Sequence, residues 1–192
     1  IAPVVAYAEN AWQTYWRDQI TENATAMGMQ AEGEALVKEL DTLIDAKKSE
    51  YPEVQGKSAA FLFFNPADLG SFYVYLPTDP RAAYLEDLGM VFPESIKALA
   101  EDENTFALSL SSENIDVLSD IDIIITYGDA TVLEALQADA LIGTVPAIAQ
   151  GSVVMMDNNS AIAASCTPSA LSIPATIDEY LQMINTAASN VQ

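Results

Sequence analysis

The chain has 192 residues, 51% of them hydrophobic, enough to bury one sizeable core with a small appendage. Seven basic residues against 28 acidic ones give a net charge of -21, which excludes a nucleic-acid partner and argues against an anionic membrane surface, since both need Lys and Arg to replace counterions. There is no histidine and a single cysteine, Cys166, so no Ser-His-Asp or Cys-His arrangement, internal disulfide or Cys/His metal cluster can form.

Residues 1–9 open with Ile1-Ala2-Pro3-Val4-Val5-Ala6-Tyr7, an apolar stretch that predicts a strand starting within a neighbouring unit. It lacks the basic region of a signal peptide and is too short to span a bilayer, so the chain reads as a processed or truncated piece. From Asn10 to Lys48 no proline occurs. Trp12, Trp16, Ile20, Met27, Leu36, Leu40, Leu43 and Ile44 recur mostly three or four residues apart, predicting amphipathic helix over 10–50, with Gly28 and Gly33 as the points where it kinks or divides. Unbroken, it would reach on the order of 50 Å at 1.5 Å per residue, a length suited to a backbone between two lobes. The acids of this stretch, including Glu32, Glu34, Glu39 and Asp41, are spread along it in the manner of a solvated face.

Tyr51-Pro52 and Gln55-Gly56 end the helical stretch, and an α/β unit is expected over 57–192. Predicted strands are Ala59–Phe64, Phe72–Tyr75, Thr105–Leu110, Ile121–Tyr127 and Val153–Met156. Predicted helices run from Pro80 to Leu88, capped by Asp79 and closed by Gly89, then over Ser112–Leu118, Ala130–Gln137 and Pro174–Ala187. The alternation implies a Rossmann-like three-layer α/β lobe with a mainly parallel sheet covered on both faces.

Ligands of such sheets bind beyond the carboxyl ends of the strands. That rule nominates Asn65 and the loop to Ser71, Tyr127-Gly128-Asp129, and Thr167 with Ser169. Asn65-Pro66 equally suits a plain turn, Asp129 a plain helix cap, and Phe72, Tyr73 and Tyr75 a core. The two arginines, Arg17 and Arg81, could each clamp an anionic ligand group or form an ion pair with Asp18 or Asp79. Trp12, Tyr15 and Trp16 could stack on a flat ligand, although such a stripe also suits a core. Asp68 and Asp129 would be the carboxylates of an acid–base enzyme, a role that needs pKa values raised in a pocket, which a sequence does not show.

Several segments in order resemble the siderophore-binding lipoproteins of ABC importers, especially those of Gram-positive actinobacteria. They are Ile1–Tyr7, Ala11–Gln19, Met27–Leu36, Ser71–Tyr75, Leu85–Met90, Ser111-Ser112-Glu113-Asn114 and Leu171–Asp178. The resemblance covers essentially the whole chain. It implies a clamshell of two α/β lobes, of which this chain would hold an interlobe helix, the carboxyl-terminal lobe and one strand of a missing amino-terminal lobe. It further implies capture of a ferric siderophore and delivery to a membrane permease, from a lipid-anchored position outside the cytoplasm. One acidic residue per lobe would pair with transporter arginines, and Glu113 occupies that place here. The ligand would touch Trp16, Arg17, Asn65, Phe72, Tyr73, Arg81, Tyr127, Asp129, Thr167 and Ser169. No catalytic residue, cofactor or protein-ligated metal is implied, because the siderophore ligates the iron. The acidity favours a neutral or cationic hydroxamate complex over an anionic catecholate. Haem or a corrinoid ligand, and a surface protein-interaction module on the same fold, remain the alternatives.

Overall fold

The computed structural model describes residues 4–7, 10–100 and 105–191. Of the expected first strand, residues 1–3 and 8–9 lie outside the described residues, and residues 4–7 form no strand. The helical stretch that follows is two helices. Helix α1 (Trp16–Ala26) and α2 (Gln30–Ser49) meet at Met27-Gly28-Met29, where Gly28 adopts φ 72°, open to glycine without a Cβ penalty. Gly33, the other expected break, lies inside α2 and is buried. The chain therefore folds back as a helical hairpin, with Arg17 near one end bridging to Asp41 across it at 2.7 Å.

A five-stranded sheet follows, built from β1 (Ala59–Asn65), β2 (Asp68–Tyr75), β3 (Ala107–Ser111), β4 (Ile123–Tyr127) and β5 (Val153–Met156). Its order is β3-β2-β1-β4-β5. Pairing is parallel for β1–β4 and β4–β5 and antiparallel for β1–β2 and β2–β3, so four strands point one way and β2 alone opposes them. This is the expected α/β, mainly parallel arrangement, with a hairpin in place of the expected loop over 65–71. Asn65 makes the difference: its side-chain Oδ1 accepts the Ala67 N–H at 3.1 Å, closing a tight turn that returns the chain into β2 at Asp68.

The remaining helices are α3 (Pro80–Asp87), α4 (Glu94–Lys97), α5 (Ala130–Ala138), α6 (Pro146–Gln150), α7 (Ala161–Ser165) and α8 (Ser172–Ala188). The segment Ser112–Leu118 is a 3-10 helix. Strand alternation sends side chains to two separate cores. One holds Phe61, Ile123, Ile125, Val154 and Met156 against α1, α2, α3 and α8, whose inward stripe is Ile177, Tyr180, Leu181 and Ile184. The other holds Leu62, Phe64, Phe72, Val74, Ile124 and Val153 against Leu118, Leu136 and Ile148. Each fully buried aromatic or aliphatic side chain contributes about 1.5–3 kcal/mol. No helix among the described residues is long and apolar enough to cross a membrane.

Candidate functional site: an aromatic shelf with one arginine

On the α8 side of the sheet, helices pack on β1, β4 and β5. Over β2 and β3 no helix of the described residues covers the same face at Tyr73 and Ser109. Tyr73 is 44% exposed, and its cross-strand neighbour Ser109 is also exposed. Phe63 lies beside Tyr73, ring centroids 6.2 Å apart, and Tyr75 stands edge-on to Phe61 at 5.5 Å and stacks with the exposed Phe106 at 6.4 Å. Period-two alternation on paired strands thus lays Phe63, Tyr73 and Tyr75 out as one shelf.

Arg81 reaches this shelf from the first turn of α3. Its guanidinium carbon lies 3.8 Å from the Tyr75 ring centroid and 5.5 Å from that of Phe61. Nη1 donates to the Tyr127 hydroxyl at 3.3 Å, while Nε and Nη2 donate to the two carboxylate oxygens of Asp79 at 2.9 and 2.8 Å. Burial alone would lower the Arg81 pKa, but the hydrogen-bonded Asp79 carboxylate overcomes this and the net shift is upward. The Tyr127 phenol is shifted up by its burial, which the adjacent Arg81 only partly offsets, so it stays protonated. Of the five guanidinium donors, three have these partners and two remain for a ligand oxygen. An apolar platform bearing N–H and O–H groups suits a compact, oxygen-rich ligand. It offers no nucleophile beside a base, and among the described residues no cluster of His, Cys, Asp or Glu could hold a metal ion.

Of the residues nominated from sequence, Tyr73, Arg81 and Tyr127 meet at the shelf. Phe72 is 0% exposed in the opposite core, because it is one residue out of phase with Tyr73. It cannot touch a ligand. Trp16 is 2% exposed, and its indole N–H donates to Asp87 at 2.9 Å. Arg17 stacks over Trp16 at 4.2 Å and pairs with Asp41 and Asp87, not Asp18, tying α1 to α2 and α3. Neither has a hydrogen bond, ion pair or ring contact with Tyr73, Tyr75, Arg81 or Tyr127. Asn65 closes the β1–β2 turn. Asp129 caps α5 by accepting from the Thr131 and Val132 N–H groups, and the Thr131 hydroxyl with those N–H groups holds its carboxyl below the ordinary range. A lowered pKa is the reverse of what a general acid needs.

Ser169 exchanges hydrogen bonds with Ser172 at the start of α8, its N–H donating to the Ser172 Oγ at 2.9 Å and its Oγ accepting from the Ser172 N–H at 3.2 Å. Thr167 is exposed and lines a shallow pocket with Trp12 and with Pro80, the residue before Arg81. Glu113 is exposed immediately after β3, and among the described residues its carboxylate has no cation partner. Tyr75 and Phe63 escaped nomination, although their alternation with buried neighbours carried the signal. Trp12 is 78% exposed at φ 69°, a left-handed conformation uncommon outside glycine.

No curated protein sequence matches the chain. Its structure and sequence are similar to those of PiaA from Streptococcus pneumoniae TIGR4, solved in complex with ferrichrome, at 44% identity and a TM-score of 0.94 over 100% of this chain and 64% of PiaA. A second structure of PiaA, described as an iron uptake ABC transporter substrate-binding protein, matches at 44% identity and a TM-score of 0.91, over 99% of this chain and 65% of that one. A periplasmic solute binding protein from Mycobacterium smegmatis str. MC2 155 shares the fold at 21% identity and a TM-score of 0.71, covering 94% of this chain and 59% of its own. The chain spans under two thirds of the length of these relatives. Residues 1–160 match the model of the periplasmic binding protein family, and with a core, sheet order and shelf that suit binding, the chain belongs to that family.

Proposed function

We propose that this chain is part of the substrate-binding component of an ABC importer, which captures a ferric siderophore outside the cytoplasm and delivers it to the membrane permease. The observation that carries this is the 44% identity, along the entire chain, with a protein solved in complex with ferrichrome. The shelf supports it: aromatic faces from Tyr73 and Tyr75 would pack on the ligand, and Arg81 with Tyr127 would donate hydrogen bonds to its oxygens. A ferric hydroxamate such as ferrichrome suits a chain of charge -21 better than a catecholate anion does. Iron would enter only within the siderophore, with no cofactor belonging to the protein and no catalysis. Glu113, exposed and without a cation partner among the described residues, would serve as one docking acid for permease arginines. A lipid anchor on the intact protein would keep it at the cell surface.

The test is titration of the full mature protein with ferrichrome, ferri-bacillibactin and haem, following tryptophan fluorescence. Trp12, 78% exposed, is the reporter available to a bound chromophore. Saturable quenching by an iron–siderophore complex is expected. Quenching by haem alone would reassign the ligand, and quenching by none would favour a protein-interaction module.

A further inference from the structure

The arginine on the shelf is not a bare cation. Asp79, its side chain 3% exposed, accepts the Arg81 backbone N–H at 2.8 Å as the cap of α3 and also pairs side-on with one edge of the Arg81 guanidinium, through Nε and Nη2. It is the one charged side chain among the buried polar residues of the described chain, beside Ser112, Thr126 and Ser152. Burying a carboxylate is costly unless it is paired, so Asp79 and Arg81 exist in the fold as one neutral, strongly dipolar unit. Arg17, Lys47, Lys48 and Lys97 are ion-paired elsewhere and bring no compensating charge to it.

We propose that Asp79 sets the charge preference of the site: by cancelling much of the Arg81 charge within the shelf, it favours a neutral ferric complex and removes the advantage that a bare arginine would give an anionic one. This rests on the siderophore-capture reading. Three hydroxamates, each singly charged, neutralise Fe(III), whereas three doubly charged catecholates leave a trianion. The neutral pair still presents N–H donors to hydroxamate oxygens. A trianion seated against the same donors is attracted by Arg81 and repelled by the Asp79 carboxylate behind it, through protein of low dielectric and with little screening by salt, so Asp79 cancels much of the attraction that a bare arginine would give it. The surface charge of the chain acts differently, through solvent, and its influence fades over about 8 Å at physiological ionic strength. Specificity here would come from a repulsive element placed behind an attractive one.

Asp79→Asn separates the two, because asparagine is as good a helix cap and keeps one acceptor for Arg81 while removing the charge. The affinities of the full mature wild-type protein and of this variant for ferrichrome and ferri-bacillibactin would be measured at physiological salt and at about 1 M salt, where the Debye length falls to about 3 Å. The wild type is expected to prefer ferrichrome at both salt concentrations, and the variant to shift the ratio toward ferri-bacillibactin by roughly tenfold or more. An unchanged ratio in the variant would overturn the role of Asp79, as would a wild-type preference that vanishes at high salt, which would assign it to surface charge without any variant. Failure of the wild type to bind either complex would instead overturn siderophore capture itself, and this inference with it.

Discussion

Gly33 of α2 lies directly against the Ala24 side chain of α1, with no room for a Cβ between them. This contact lets the two helices approach closely enough to bury Ile20, Leu40 and Ile44. Gly33→Ala would gain about 1 kcal/mol of helix propensity. It would lose more by forcing the hairpin apart, for a net destabilisation of about 1–3 kcal/mol. Ala24→Gly in the same chain should recover much of the loss. Urea denaturation of both single variants and the double variant measures the coupling, and simple additivity would argue against the contact.

Arg17 joins three helices through Asp41 and Asp87, and Asp87 also accepts the Trp16 indole N–H. Asp87→Ala leaves that indole donor without its partner and half the guanidinium without a counter-charge. The expected cost is about 2–3 kcal/mol, the range for losing a partly buried charged hydrogen bond. Ferrichrome affinity should not change, because none of the hydrogen bonds of this network involves Tyr73, Tyr75, Arg81 or Tyr127. A melting temperature equal to that of the wild type would contradict the structural role.

Much of this architecture was legible. Continuous apolar runs marked β1 and β4, and Asp79-Pro80 with Gly89 bracketed α3 to within a residue. The hairpin of α1 and α2 was less so, because apolar spacing continues through Met27-Gly28-Met29 and a single glycine is a weak breaker; the contact of Gly33 with Ala24, far apart in sequence, decides it. The two arginines looked equivalent, each close in sequence to an aspartate. Only Arg81 uses that neighbour, while Arg17 takes acids 24 and 70 residues away. The shelf itself was hidden for a similar reason: strand periodicity says which residues share a face, and only the helix layer says where that face is left bare.

Asp129 provides a pH test. Its carboxyl is lowered by the Thr131 hydroxyl and by the N–H groups of Val132 and Thr131. A carboxylate with a folded pKa below its unfolded one contributes stability that is present above the unfolded pKa and lost as pH falls through the folded one. Protection of the Thr131 and Val132 amides from hydrogen exchange should therefore decline on acidification through and below the ordinary carboxylate range. Asp129→Asn keeps the cap without the titration, so its protection factors should stay level over the same interval. A flat wild-type profile would rule out the charged cap.

Phe72 and Tyr73 are adjacent in β2 and should answer substitution in opposite ways. Phe72 is fully buried, 5.9 Å from Phe64 between ring centroids, so Phe72→Ala opens a cavity in a packed core. The expected loss is about 3–5 kcal/mol of stability. Tyr73 stands on the open shelf beside Phe63, where truncation removes one exposed cross-strand pair and costs about 0.2–1 kcal/mol. If the shelf holds the siderophore, Tyr73→Ala weakens ferrichrome binding by roughly tenfold, in line with loss of one aromatic contact. Phe72→Leu, which keeps most of the core volume, should bind as the wild type does once folded. Equal affinities for the Tyr73 variant and the wild type would remove Tyr73 from the binding surface.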